Sequence, residues 1–376
     1  MKTGGPDEKN DGRSESGSSP SVTGEAAGGG TRSLPARRRA QPDARVVAVT
    51  GAFSFVGAEL IKRLEADPRY VKVLAIDIRK PPFPLRKTQY HKVDLTLPTA
   101  DADLADILAR EGADTVVHTA FLSTPTHNSA WAHELEAIGT MHVLNATGEA
   151  KAHKLILLSS TLVYGAYPSN PNFLTEQHEP KGHPRSRFIN DKLEAERQAR
   201  RFSHENPEVT VTVLRAAATL GPTIRNFATR FFQRPVAPVL MGYDPLIQFV
   251  HEQDLVEAFV RAVDGDHRGV FNIVGDGVLP YTTILAMMGK IPLPMPSFLA
   301  YRLSSAMWAT QVFDAPPNFL DFLRFLCVAD GGKAHKELGF SPRWSIKATI
   351  HDFLGLPPGQ LRGESGTSTG TGAGAV

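Results

Sequence analysis

Short apolar runs alternate with amphipathic segments through the middle of the chain. In the first amphipathic segment Val56, Leu60, Ile61 and Leu64 recur at helical spacing. Near-continuous apolar strands that alternate with helices are typical of a parallel sheet covered on both faces. The pattern therefore predicts an α/β fold, a doubly wound parallel sheet, with strands at 45–50, 71–77, 91–93, 115–119, 154–158 and 209–214 and helices at 55–66, 102–111, 130–149 and 185–203.

The alternation loosens after Pro222, where proline-rich turns appear and helices are predicted only around 281–288 and 296–310. We expect a smaller C-terminal α/β subdomain there. The two ends of the chain are polar and glycine-rich, so they cannot bury enough apolar surface to offset their chain entropy. The predicted organisation is a disordered tail at 1–44, a sheet domain at 45–275 with part of the second lobe inserted at about 217–247, a C-terminal lobe at 276–358 and a disordered tail at 359–376.

The stretch from Pro296 to Phe313 is apolar and contains Tyr301 and Trp308. Such a stripe is more often core than a lipid-facing or partner-facing surface. We therefore expect it to be buried, and the surface interpretation stays open.

Composition limits the class of protein. The formal net charge is +2, which gives no strong field toward nucleic acid. No apolar run approaches the roughly 20 residues needed to span a bilayer, and the first residues lack the apolar core of a signal peptide. The single cysteine, Cys327, cannot form an internal disulfide or a cysteine-rich metal site. We expect a cytoplasmic protein with no transmembrane segment, no nucleic-acid partner and no metal.

The turn between the first predicted strand and the first helix contains Gly51 and Gly57. A strand, a glycine turn and a helix place backbone N–H groups at a helix N-terminus, where the dipole favours a pyrophosphate. Ser54 stands where a second glycine would let the phosphate approach the backbone; its Cβ crowds that space, but its hydroxyl can bind the phosphate. With the amide groups of Phe55 and Val56, this turn predicts a Rossmann-type dinucleotide site.

Asp77 ends the second predicted strand, 20 positions after Gly57. A carboxylate there accepts hydrogen bonds from the hydroxyl groups of an adenosine ribose and repels a 2′-phosphate. Asp77 therefore predicts NAD rather than NADP as the cofactor. Arg79 lies two residues further on and softens this preference, so NADP is not excluded.

Short motifs follow Asp77 in an ordered series. They are Val93-Asp94-Leu95, Val116 to Ala120, Gly139-Thr140, Ser159 to Gly165, Leu214-Arg215, Gly221-Pro222, Phe249 to Asp254, Phe271 to Ile273 and Leu338 to Pro342. The ordered set resembles the extended short-chain dehydrogenase/reductases, also called the NAD-dependent epimerase/dehydratase family, over about residues 46–356. The resemblance implies a substrate-binding C-terminal lobe, adenine contacts from Asp94 and Leu95, and a cofactor-lining position at Ala120.

The resemblance also implies a chemistry, the transfer of hydride to and from a nicotinamide with a side chain that moves a proton. In the family a Tyr four residues before a Lys moves it, because the two side chains share one helix face. Lys192 matches the Lys, which also binds the cofactor, and Ser160 matches the Ser that holds the substrate oxygen. Phe188 stands at the Tyr position.

Other departures fall on the substrate side. Glu136 stands where the family has an Asn in the helix before Gly-Thr. Ala218 replaces an Asn that helps nucleotide-sugar epimerases to hold their substrate, and Ile247 replaces an Arg. A nucleotide sugar is therefore an unexpected ligand. A more apolar small molecule, such as a lipid or a steroid-like alcohol, fits the stretch from Pro296 to Phe313.

Two functions stay open. One is an NAD(P)-dependent oxidoreductase or epimerase with an atypical acid/base, for which Tyr164, Tyr167, Glu136 and Ser160 are candidates. Packing is the favoured role for Tyr164. A Glu136 buried near the nicotinamide would have a raised pKa suited to a base, whereas a carboxylate on the helix surface is an equally good interpretation. The other is a catalytically silent NAD(P)-binding regulatory or scaffold protein, which Phe188 supports most strongly. The resemblance also implies a homodimer.

Overall fold

The computed structural model describes residues 45–312 and 315–356 of the chain, so the predicted tails at 1–44 and 359–376 lie outside the described residues. The strands are Arg45–Thr50 (β1), Tyr70–Ile76 (β2), Thr88–His91 (β3), Thr115–His118 (β4), Lys154–Ser160 (β5), Thr210–Ala216 (β6), Ala218–Leu220 (β7), Val236–Leu240 (β8), Leu246–Ile247 (β9), Phe249–His251 (β10), Gly269–Ile273 (β11), Leu279–Pro280 (β12) and Ile291–Met295 (β13). The helices are Phe55–Ala66 (α1), Ala100–Glu111 (α2), Ser129–His133 (α3), Gly139–Glu149 (α4), Arg187–Glu205 (α5), Phe227–Gln233 (α6), Glu252–Asp264 (α7), Tyr281–Met287 (α8), Ser297–Ala309 (α9), Gly332–Glu337 (α10) and Ile346–Phe353 (α11).

Within the described residues, seven strands form a central sheet in the order β11-β6-β5-β4-β1-β2-β3, and each neighbouring pair is parallel. Successive strand residues such as Val47 and Ala48 belong to different buried clusters, because side chains alternate between the two faces of a sheet. The predicted doubly wound α/β sheet is confirmed. The strand order reverses between β1 and β4, and ligands of such sheets bind at the carboxyl ends of the strands beside this point.

The helix predicted at 130–149 contains an irregular turn. A π-helical segment, Glu134–Ile138, separates α3 from α4. A π turn holds one residue more than an α turn and changes the direction of the side chains around it. Glu136 lies in this segment and is fully buried. The spacing of apolar residues gives no signal for such a turn.

Beyond β6 the chain forms a second group of elements around three two-stranded sheets. Strand β7 pairs with β10 and β8 with β13, both in parallel, and β9 pairs with β12 in antiparallel. Phe232, Phe249, Tyr281, Ile284 and Ile350 belong to one buried cluster between these elements. The domain boundaries near 217–247 and 276–358 stay a prediction.

Helix α9 corrects the expectation of a buried stretch at 296–313. Of its residues Ala300 alone is buried, and Phe298 exposes 69% of its surface. The prediction that this helix belongs to the core is wrong. Its apolar residues lie all around the helix axis, whereas the rest of the protein covers one side of the helix. Phe313 lies outside the described residues. Among the helices that the structure describes, none is long and apolar enough to cross a membrane.

Candidate active site

The turn between β1 and α1 packs tightly against the loop that follows β4. Gly51 has a φ of +67°, and a Cβ there would lie 2.5 Å from backbone atoms of Ala120. A Cβ at Gly57 would lie 2.6 Å from the carbonyl oxygen of Gly51. Glycine is required at both positions. The first turn of α1 then presents the amide groups of Phe55 and Val56, which have no acceptor within their own helix.

Ser54 is the N-cap of α1. Its Oγ accepts the N–H of Gly57 at 3.1 Å and donates to Oγ1 of Thr119 at 3.2 Å. An N-cap hydroxyl used in this way satisfies one of the amide donors at the helix start. The hydroxyl is therefore engaged within the protein, and a bond from it to a phosphate stays a prediction.

Asp77 is buried directly after β2. Its Oδ2 accepts the amide N–H of Phe53 at 2.9 Å, and its Oδ1 accepts the amide N–H of Arg79 at 2.9 Å. The exposed Arg79 guanidinium donates to both oxygens at 3.2 Å. The carboxylate is thus fixed in place directly after β2 with a cation beside it, and its bond to ribose hydroxyls stays a prediction.

A cavity of about 1020 Å³ joins most of the residues that the sequence singles out. Ser160, Phe188 and Lys192 all line it, whereas Glu136 lies outside its wall and Gly57 packs behind the turn. The cofactor candidates in the cavity wall are Gly51, Ser54, Phe55, Val56, Asp77, Asp94, Leu95 and Ala120.

The same cavity extends into the second group of elements, where it becomes an apolar chamber. Ala218 and Ile247, the two substitutions on the substrate side, line it. The sequence argument missed the aromatic residues of this chamber, although the density of phenylalanine near 227–232 and 319–325 was a usable signal. They are Phe227, Phe231, Phe232, Phe319 and Phe322.

Lys192 and Glu136 form a buried ion pair at the cavity wall. Nζ of Lys192 lies 2.6 Å from Oε1 of Glu136 and donates to the carbonyl oxygen of Leu122 at 3.1 Å. The amide of Leu122 donates to the same carboxylate oxygen at 2.7 Å. Oε2 of Glu136 has no hydrogen-bond partner among the described residues. Burial raises the pKa of the Glu136 carboxyl, and Lys192 opposes that rise.

The rings of Phe188 and Phe121 also lie beside the lysine ammonium. The Lys192 Nζ lies 4.1 Å from the centroid of the Phe188 ring. The two residues are four positions apart on α5, so the ring occupies the place where the resemblance implies a phenol. Ser160 lies at the end of β5, and its Oγ accepts the N–H of Leu162 at 3.3 Å.

The two tyrosine candidates are used for packing. Tyr164 Oη accepts a bond from Arg215 Nη1 and donates to Oδ1 of Asn272, both at 2.9 Å, and burial raises its pKa. The buried Arg215 guanidinium is paired with Glu196. Tyr167 donates to the carbonyl oxygen of Gly182 at 3.0 Å. This geometry favours a structural role for both phenols.

Comparison of the sequence with models of known protein families assigns the chain to a family. The profile of the NAD dependent epimerase/dehydratase family matches residues 47–274. The chain belongs to this family. The family assignment confirms the resemblance and the NAD-dependent class predicted from the sequence.

Relatives of this family member include an uncharacterized protein of Mycobacterium tuberculosis (strain ATCC 25618 / H37Rv). It is 30% identical over 324 residues, which are 84% of this chain and 85% of that protein. The UDP-glucuronic acid decarboxylase 4 of Arabidopsis thaliana is 27% identical over 246 residues, 61% of this chain and 54% of that enzyme.

Solved structures confirm the fold of this family member. The UDP-glucuronic acid 4-epimerase from Bacillus cereus, in complex with UDP-glucuronic acid and NAD, matches with a TM-score of 0.63 at 21% identity. The match covers 82% of this chain and 98% of that one. The UDP-glucose 4-epimerase from Thermotoga maritima, with UDP-glucose, matches with a TM-score of 0.64 at 19% identity, over 82% and 97% of the two chains.

Proposed function

We propose that this family member binds NAD and acts as an oxidoreductase or epimerase on an apolar hydroxyl or carbonyl compound. The observation that carries the proposal is the continuity of the cavity. It joins Asp77 and the phosphate turn to Ser160 and Lys192, and it continues into the phenylalanine-lined chamber. A cofactor and an apolar substrate therefore have adjoining places beside the same two polar side chains.

The residues present suit a dinucleotide. Asp77 would hold the adenosine ribose, the amide groups of Phe55 and Val56 the pyrophosphate, and Asp94 the adenine side. Lys192 would hold the second ribose. Arg79 keeps NADP as a possible second cofactor. When bound, the nicotinamide supplies a two-electron acceptor or donor.

Ser160 and Lys192 handle the substrate oxygen. The Ser160 hydroxyl positions that oxygen by hydrogen bonding, and Nζ of Lys192 exchanges a proton with it. Burial raises the pKa of the Glu136 carboxyl, and the charge of Lys192 opposes that rise. Glu136 fixes the Lys192 ammonium through the 2.6 Å contact with its Nζ. Glu136 thus acts on Lys192 and does not touch the substrate.

An apolar substrate fits the chamber better than a nucleotide sugar does. A diphosphate needs cationic or amide partners, whereas Ala218 and Ile247 offer neither. Arg225 and Arg234 also line the chamber, but both are engaged within the protein, and the Arg225 guanidinium donates to the carbonyl oxygens of Pro222 and Ile224. Aromatic rings give apolar ligands a large contact area.

The test has two parts. Calorimetric titration with NAD⁺, NADH and NADPH should give saturable binding of NAD⁺ or NADH, and absence of binding to all three would refute the proposal. Turnover is then measured with sterols, long-chain secondary alcohols, the matching ketones and UDP-glucose. We expect activity on the apolar compounds that is lost in Lys192→Met, which keeps the stem and removes the charge. Activity on UDP-glucose alone would overturn the substrate class.

Phe188 favours a second candidate, a catalytically silent NAD-binding regulatory or scaffold protein. A phenyl ring has no proton to exchange, so the cofactor could be held without reaction. Saturable NAD binding without turnover on any compound of the panel would support this function. The homodimer and the cytoplasmic location stay predictions.

A further inference from the structure

The entrance side of the chamber carries an unusual number of exposed apolar side chains. Phe298 on α9 is 69% exposed, Ile291 on β13 is 62% exposed, and Met241 after β8 is 59% exposed. We call this surface the apolar rim, and its members are Val236, Met241, Ile291, Leu293, Phe298, Leu299 and Leu303. Clustered exposed apolar surface marks an interaction site, because water penalises it.

The apolar rim is continuous with the chamber. On α9 the residues Ala300, Leu303, Ser304 and Met307 line the cavity, at the spacing of one helix face. Leu303 belongs to both the rim and the cavity wall, as do Val236 and Leu293 on the paired strands. An apolar molecule can therefore pass between the rim and the chamber along Val236, Leu293 and Leu303.

Two basic residues lie beside the exposed apolar side chains of the rim. Lys290 directly precedes Ile291, and the exposed Arg302 lies on α9 between Leu299 and Leu303. The exposed Asp244 lies three residues after Met241, and its carboxylate accepts hydrogen bonds from the amide and the hydroxyl of Thr282. The acidic Asp321 contacts α9, but its carboxylate is engaged by Tyr301 and by His183 at 2.8 Å.

We propose that the apolar rim docks on the surface of an anionic phospholipid bilayer. Apolar side chains enter the boundary between headgroups and acyl chains, while Lys290 and Arg302 meet anionic headgroups. As a corollary that rests on the proposed function, the apolar substrate enters the chamber directly from the lipid.

A second copy of this chain fits the rim less well. A two-fold interface that brings Lys290 and Arg302 of both copies together would place like charges side by side, and like charges repel. An anionic bilayer supplies the opposite charge and an apolar layer at once. Lys290 and Arg302 thus favour the bilayer over a second copy.

Vesicle sedimentation of the full chain tests the proposal without NAD or turnover, so its outcome is independent of the proposed function. We expect binding to vesicles of phosphatidylcholine with phosphatidylserine, and much weaker binding to phosphatidylcholine alone. The double variant Phe298→Ser/Leu299→Ser should lower the partition coefficient at least about tenfold. Lys290→Gln/Arg302→Gln should lower it about fivefold or more on anionic vesicles.

The matched control is Leu97→Ser/Phe173→Ser, which removes two apolar side chains of similar exposure, 50% and 47%, outside the rim. It should bind vesicles as the wild type does, and circular dichroism should show all variants folded. No wild-type binding to anionic vesicles would overturn the proposal, as would equal losses in the rim and control variants. A self-association that the rim variant abolishes, without vesicle binding, would assign the rim to a second copy instead.

Discussion

The ammonium of Lys192 faces the ring of Phe188 at 4.1 Å. A ring attracts a cation through its quadrupole but neither accepts nor gives a proton. The ammonium also contacts Glu136 and the carbonyl oxygen of Leu122, and the ring of Phe121 lies 5.5 Å away. The lysine is thus held by its counterion and by an aromatic ring. A phenol in place of that ring would form a proton-transfer pair with the lysine.

Replacing Phe188 by Tyr should add that phenol four positions before Lys192. We expect turnover of an apolar substrate to rise about 10²-fold or more, because a positioned acid or base contributes on that order. Affinity for NAD⁺ should stay within about threefold, since Lys192 and the phosphate turn are unchanged. Steady-state kinetics and calorimetry measure the two effects.

The control for this change is Phe188→Leu, which removes the ring and adds no hydroxyl. It should not raise turnover. A rise of similar size in both variants would show that space, and not the phenol, limits the reaction.

Glu136→Gln should destabilise the protein, because it leaves the Lys192 charge buried without its counterion. We expect a loss of about 3 kcal/mol in the free energy of unfolding. The matched control Glu59→Gln breaks a half-exposed pair with Lys62 and should cost far less. Urea unfolding measures both, and Glu136→Gln/Lys192→Met should recover much of the loss. Equal effects in the two Glu→Gln variants would contradict the prediction.

His118 should make stability depend on pH. Its ring is fully buried between Thr50 Oγ1 and Thr140 Oγ1, and burial lowers its pKa from 6.5 to about 3. Between these values the unfolded chain binds a proton that the folded protein does not, so stability falls as the pH drops below 6.5. From this residue we expect a loss of about 2 kcal/mol at pH 5 relative to pH 7.

Urea unfolding of the wild type and of His118→Asn at the two pH values isolates this contribution. The variant should lose less stability on acidification than the wild type does. His153→Asn, at an exposed histidine, should keep the wild-type dependence. The assignment fails if both variants respond to pH as the wild type does.

Asp77→Asn should change the cofactor preference. Loss of the charge weakens the bond to a ribose hydroxyl, so NAD⁺ should bind about tenfold more weakly. NADP⁺ should bind more tightly, because the repulsion of a 2′-phosphate disappears and Arg79 no longer faces a carboxylate. Calorimetry measures both affinities. Asp77→Asn/Arg79→Ala serves as control and should lose the gain for NADP⁺; a gain that survives there would exclude Arg79 as its cause.

Much of the sheet and many of the cofactor-binding candidates could be predicted, because each is indicated by residues that are close together in the sequence. Gly51 is required by its own backbone angle and by the approach of Ala120, and Asp77 follows directly on a buried strand. The third strand forms at 88–91, earlier than the 91–93 expected from the sequence, because Val93 enters the core from the loop instead.

The contact between Glu136 and Lys192 could not be predicted in the same way. It joins residues 56 positions apart, and it depends on a π turn that the spacing of apolar residues along the sequence does not indicate. The prediction that helix α9 is buried was wrong for another reason. Its apolar residues indicate contact with something that is not water, and a sequence does not tell a protein core from a cavity wall or an outer surface.

The π turn at Glu134–Ile138 also has a consequence for how this site can change. Removing one residue of the segment would let α3 and α4 join as a single regular helix. The preceding helix would rotate by about 100° relative to the following one, and the carboxylate would leave Lys192. One deletion could therefore convert a charge-paired lysine into an unpaired one while every strand of the sheet stays in place. Helix register, as much as side-chain identity, determines which acid/base chemistry this fold can host.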